Sequence, residues 1–248
     1  MSPNYMTLTR KVELFHNIYS HKLAQNIEVG SIVNTKLLPI MADVSSLYNY
    51  CGQYIDDSPD WDYQPRLHAV VPKLSYLETA VSQNMNNFAF LSSTSNEFQK
   101  ANLNMTLGHT KDQLKVMNQY LIDNDVNGYK KLYISCVDTC PFRGKIFNSD
   151  IAQEISEYSS WNFFDEICIS DTCGKLTCAN FDTLLTCVLS LMLIWILSHS
   201  IYTLVTIQPI SKILFGTLST NIFIVLMSLC YLKAVAISLL HVRNFIRI

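Results

Sequence analysis

Acidic residues are missing from the chain beyond Asp182: all 20 Asp and Glu lie at or before that position, whereas four of the 18 Lys and Arg (Lys212, Lys233, Arg243, Arg247) lie after it. The net charge of −2 therefore conceals a formal −6 up to the break and +4 behind it. From Thr183 to Ser211 charge of either sign is absent, which leaves an apolar interior, protein or lipid, as the surroundings of that run. The sequence also lacks G-x-G-x-x-G, a Walker loop, H-E-x-x-H and a basic stripe, so dinucleotide binding, P-loop chemistry and nucleic-acid binding have no motif behind them. Met1 to Arg10 has no apolar core of a signal peptide and is not Arg-rich like a transit peptide. Phe245-Ile246-Arg247-Ile248 matches no lipidation or peroxisomal address.

The residues after the break read as a membrane hairpin. Leu184 to Ile207 would span about 36 Å as a helix, enough to cross a hydrocarbon layer of ~30 Å, and Gln208-Pro209 breaks it. Ile213 to Leu232 supplies a second uncharged span of about 30 Å. A pair of buried core helices is the alternative, but those are usually shorter and carry polar residues on one face. Lys233, Arg243 and Arg247, spaced among apolar residues, suit an interfacial helix, and positive flanks place both ends of the hairpin on the cytoplasmic side. The expectation is a lipid bilayer as partner and a multi-pass membrane protein whose amino-terminal domain, residues 1–182, is cytoplasmic.

That first domain alternates. Val12, Phe15, Tyr19 and Leu23 share a helical face, and Asn26 to Val33 follows as a short apolar strand. Arg66 to Val71, Asn86 to Leu91, Lys131 to Val137 and Phe164 to Ser170 read as further strands. Helices over Ser75 to Gln83, after a capping box at Thr110 and Gln113, and through Ile151 and Tyr158 lie between them. Such alternation specifies an α/β fold with a parallel sheet of about five strands, doubly wound or part of a (β/α)₈ barrel. Tyr48 to Pro65, acidic and aromatic, reads as a solvated loop, since it lacks the ligand spacing, Gly and closing Glu of a Ca²⁺ loop. Polar residues gather at the carboxyl ends of the strands: Glu28, Ser135 to Cys140, and Ser170-Asp171-Thr172.

Four blocks stand out in order: Glu28-Val29-Gly30-Ser31-Ile32-Val33 with Lys36, Pro39, Met41, Ala42 and Asp43; Ser95 to Asn104; Tyr133-Ile134-Ser135-Cys136-Val137 with Cys140-Pro141-Phe142 and Gly144-Lys145-Ile146; and Glu166 to Thr172 with Gly174. Together these blocks resemble the 3-hydroxy-3-methylglutaryl-CoA lyase family. They cover roughly Lys11 to Thr177 and imply a TIM barrel, here incomplete. The resemblance also implies a divalent metal, Mg²⁺ or Mn²⁺, held by an Asp of R-D-G-L-Q on the first strand, an H-x-H pair on a later strand and an Asn near the last. None of these strings, nor the family's G-L-G-G-C-P-Y loop, occurs in the sequence.

By that resemblance Glu28 and Asp171 are vestigial catalytic positions, no cofactor is expected, and Mg²⁺ or Mn²⁺ enters only in an active enzyme. The expected function is a membrane-anchored, inactive lyase-like protein that takes an acyl-CoA-like ligand. Two alternatives stand beside it: an active lyase cleaving 3-hydroxy-3-methylglutaryl-CoA to acetyl-CoA and acetoacetate, and a degenerate product with a frame-shifted tail. Five strands leave two open sheet edges, to be covered by a partner subunit, the membrane or the tail itself. Of the eight cysteines, Cys136-x₃-Cys140 and Cys168-x₄-Cys173-x₄-Cys178 lack the paired knuckle of a Zn²⁺ site, and reduced thiols are expected.

Overall fold

The structure is a computed structural model that describes residues 7–199 and 204–209. Helix α1 (Leu8–Ser20) starts where the Thr7 side chain accepts the amide of Arg10, and it buries Phe15, Ile18 and Tyr19. Strand β1 (Asn26–Ser31) leads through a 3₁₀ turn (Pro39–Met41) into α2 (Val44–Asp56). This helix corrects the expected loop at Tyr48 to Pro65. Val44, Leu47, Tyr48, Cys51 and Ile55 recur at helical spacing and are buried, and only the stretch beyond Asp56 is loop.

Strand β2 (Arg66–Val70), helix α3 (Leu74–Ser82), strand β3 (Phe88–Ser93) and helix α4 (Asn96–Leu103) follow. Ser95 caps α4 by accepting the amide of Phe98, and Asn104 ends it in the left-handed conformation. Helix α5 (Leu107–Asp123) begins a turn before the expected capping box: Thr106 is the cap, while Thr110 is buried inside the helix and bonds back to the Thr106 carbonyl. Strand β4 (Lys130–Ser135) precedes a short antiparallel hairpin, β5 (Thr139–Cys140) and β6 (Gly144–Lys145), then α6 (Asn148–Ser160) and β7 (Glu166–Asp171).

The tail departs from the expected hairpin. Helix α7 (Cys178–His199) runs through Asp182, packs beside α6, and buries Leu184 and Val188 in the common core. Leu204–Pro209 is then strand β8, parallel to β7 with Glu166 opposite Leu204 and Asp171 opposite Pro209. A continuous helix over 184–207 is therefore not formed, and among the described residues no helix is long and apolar enough to cross a membrane. The second expected span, 213–232, lies outside the described residues.

All neighbours in the main sheet are parallel, in the order β1-β2-β3-β4-β7-β8. The tail thus covers the β7 edge, one of the three expected solutions to the open sheet. Alternation splits the sheet into two faces. Ile27, Leu67, Ala69, Phe88, Phe90, Leu132, Ile134, Ile167 and Ile169 join the helices in one large apolar core. The other face carries only a small apolar cluster around Ala89, Tyr133 and Cys168, and this second face holds the polar residues.

Candidate active site

On that second face the strands place Glu28 (β1), His68 (β2), Lys131 and Tyr133 (β4) and Glu166 (β7). The register β1-β2-β3-β4-β7 brings residues distant in sequence together. The Tyr133 hydroxyl donates to Glu28 Oε1, and the Lys131 ammonium lies 3.7 Å from both Glu28 Oε1 and Glu166 Oε2. Lys131 and Glu166 are buried while Glu28 is partly open, so one cation balances a carboxylate out of water and a second at the edge of solvent. Tyr129 also donates to Glu166, at 3.4 Å. Burial, reinforced by Glu166 and Asp165, pushes the Tyr129 phenol up to about 12. Burial followed by the Glu28 charge raises Tyr133 far above the ordinary phenol range, so its proton stays in the bond to Glu28.

His68 shares an Nε2 hydrogen bond of 3.1 Å with Asn26 Oδ1, and its Nδ1 is buried without a partner among the described residues. Burial, then the charges of Lys131 and Arg66, holds its pKa down to about 3, so the ring is neutral.

The carboxyl rim holds the second expected residue. Asp171 ends β7, and its two oxygens accept the amides of Lys175 (3.2 Å) and Leu176 (2.8 Å), which ties down the loop into α7. Next to it Thr172 Oγ1 accepts the Cys136 amide at 2.7 Å. Asp138 is buried and takes the Lys145 ammonium and the Asn180 amide (3.0 Å), joining the β5–β6 hairpin to α7. Asp171 thus lies at the carboxyl end of β7 with both oxygens engaged, whereas Glu28 lies within β1, opposite His68, and turns Oε1 to Tyr133 and Lys131. Lys131 and His68 were not singled out from sequence, and Tyr133 and Glu166 entered only as parts of family-like strings, without a role. Their signal was a polar side chain at every second place of otherwise apolar strands.

A divalent metal does not fit this donor set. Among the described residues no three His, Cys, Asp or Glu side chains gather as ligands. β8, a later strand of the kind on which the resemblance implies an H-x-H pair, reads Leu-Val-Thr-Ile-Gln-Pro. His199 falls at the end of α7 instead.

No family model matches the chain. Among curated proteins it is similar to the mitochondrial hydroxymethylglutaryl-CoA lyase of Arabidopsis thaliana, 28% identical over 171 residues, covering 69% of this chain and 34% of that protein. The cytoplasmic 3-hydroxy-3-methylglutaryl-CoA lyase of Rattus norvegicus is 26% identical over 177 residues, 71% of this chain and 48% of that one. The chain thus spans a third to a half of these relatives. Among solved structures, an HMG-CoA lyase from Acinetobacter baumannii, in complex with coenzyme A and 3-methylmalate, superposes with a TM-score of 0.63 at 20% identity over 76% of this chain and 58% of that one. These neighbours point to the HMG-CoA lyase family over part of its length, and the structural likeness shows a TIM-barrel-like α/β fold.

Proposed function

We propose that the chain is a lyase-like acyl-CoA-binding domain that does not carry out the metal-dependent cleavage. The observation that carries this reading is the state of the carboxylates together with the composition of β8. Asp171 is saturated by loop amides, Glu28 is held by Tyr133 beside Lys131, and β8 offers no imidazole or carboxylate. A dication taken by Glu28 would have to displace the Lys131 ammonium, and one taken by Asp171 would have to strip its two amides. Among the described residues no neutral side chain replaces that charge beside an enolate formed by carbon–carbon cleavage.

Ligand binding asks less of the site. The coenzyme A held by the Acinetobacter baumannii lyase supports an acyl-CoA-like ligand here. Lys36 and Arg143, on loops after β1 and β5, are exposed beside Leu37 and Phe142, which suits a molecule with phosphates at one end and an apolar thioester arm. Calorimetric titration of the full chain with Mn²⁺ and, separately, with acetyl-CoA tests both halves. Saturable binding of acetyl-CoA without stoichiometric uptake of Mn²⁺ is expected; stoichiometric Mn²⁺ binding would overturn the reading.

For Ile213 to Leu232 we keep the bilayer as the proposed surroundings, on the strength of its uncharged span length. Recovery of the expressed protein in the supernatant after alkaline carbonate extraction would end that reading.

A further inference from the structure

Cys51, Cys136 and Cys168 are buried thiols that burial pushes up, Cys51 to about 12. Cys140 is as buried, with 1% of its surface exposed, but its surroundings differ. Its Sγ donates to Ser95 Oγ at 3.0 Å, Ser95 in turn donates to Glu97 Oε2 at 3.0 Å, and Glu97 is exposed. The backbone amides of Phe142 and Arg143 both point at Sγ from 3.4 Å. Left-handed backbone at Cys136 (φ 62°) and Asp138 (φ 75°) turns the end of β4 back, and the two thiols influence one another, Cys140 pushing Cys136 up and Cys136 helping to bring Cys140 down.

We propose that Cys140 is a nucleophilic thiol and a modification site for low-molecular-weight disulfides of the glutathione class, with Cys136 as the resolving thiol. Ser95 carries the Cys140 proton outward to Glu97 and water, while the two amides hold the negative sulfur. Although burial opposes ionisation, the Ser95 hydroxyl and the Phe142 and Arg143 amides leave the thiol below its ordinary pKa.

The Cys140 thiolate attacks one sulfur of the disulfide, a new S–S bond forms, and one thiolate leaves and takes up a proton. Cys136 then attacks Cys140 Sγ. The second small thiolate departs with the Cys136 proton, and a Cys136–Cys140 disulfide remains. Two protein thiols are oxidised and one small disulfide is reduced to two thiols. Cys140 is itself in β5, so access requires the exposed turn that follows it, Pro141 to Arg143, to open beside Sγ. Pro141 to Lys145 are all exposed, and the hairpin is fastened by Lys145 to Asp138 and by the Ile146 amide to the Asp138 carbonyl at 2.9 Å.

The test is treatment of the reduced full chain with limiting oxidised glutathione at pH about 6.5, below the ordinary thiol range of ~8.5, followed by peptide mapping. Cys178 is the exposed reference thiol. The expected result is an adduct on Cys140 ahead of Cys178, giving way to a Cys136–Cys140 disulfide, with the adduct persisting in Cys136→Ser. Glu97→Gln, a surface change, should slow Cys140 several-fold and leave Cys178 unchanged. First modification of Cys178, with Cys140 reacting only in denaturant, would overturn the proposal.

Discussion

Two buried ionisable side chains set the behaviour of the inner face. The His68 ring has a pKa held down to about 3, against 6.5 in an exposed ring. The unfolded chain binds a proton near pH 6.5 that the folded chain refuses until about pH 3. His68 therefore contributes stability that is fully present above pH 6.5 and is lost as pH falls, at roughly 1.4 kcal/mol per pH unit. Urea unfolding at pH 7 and pH 5 should show a smaller drop for His68→Gln than for the wild-type chain. Equal drops would mean that His68 is not the group linked to folding. Lys131 is the only ammonium placed between Glu28 and Glu166 among the described residues. Lys131→Ala leaves the buried Glu166 without its cation, beside the partly open Glu28, and should cost about 3–5 kcal/mol by denaturant unfolding, the usual penalty of breaking a buried pair. A loss below ~1 kcal/mol would place that network in solvent.

At the scale of elements, the strands were legible because their apolar runs are short and bounded by turn residues, and the five expected strands agree with the observed ones to within two or three residues. Helix α2 was hidden by its solvent side, where Asn49, Gln53 and Asp56 gave the stretch a loop-like composition while the buried side stayed helical in period. The start of α5 was displaced because Thr106 and Thr110 are both plausible caps, and only the Asn104 turn that ends α4 decides between them. The connection into β4 depends on Gly128. A Cβ there would stand 1.8 Å from the backbone oxygen of Asn86, in the turn before β3. Since backbone cannot yield as a side chain tip can, Gly128→Ala should destabilise by more than ~2 kcal/mol, visible as a lower midpoint of thermal unfolding. A midpoint within a degree or so of wild type would show that the two turns are free to separate.

For the molecule as a whole, the acid-free tail carries the main difference between sequence and structure. Long apolar runs are shared by membrane spans, buried crossover helices and strands of parallel sheets, so periodicity alone does not separate them. Leu184 and Val188 join the helix layer and Leu204–Pro209 joins the sheet, which makes part of that tail a further βα unit. The candidate site was legible only where strings resembled the lyase family, at Glu28 and Asp171. Asp171 meets only the amides of the loop that follows it, but what Glu28 touches depends on strands brought together by the sheet register, which no local pattern encodes. The central proposal, that a lyase-like fold here does without the metal-dependent cleavage, is tested most directly by incubating the full chain with 3-hydroxy-3-methylglutaryl-CoA and Mg²⁺ or Mn²⁺ and measuring acetoacetate. Release no greater than in a protein-free control is the expected result; turnover that disappears on adding a chelator would contradict it.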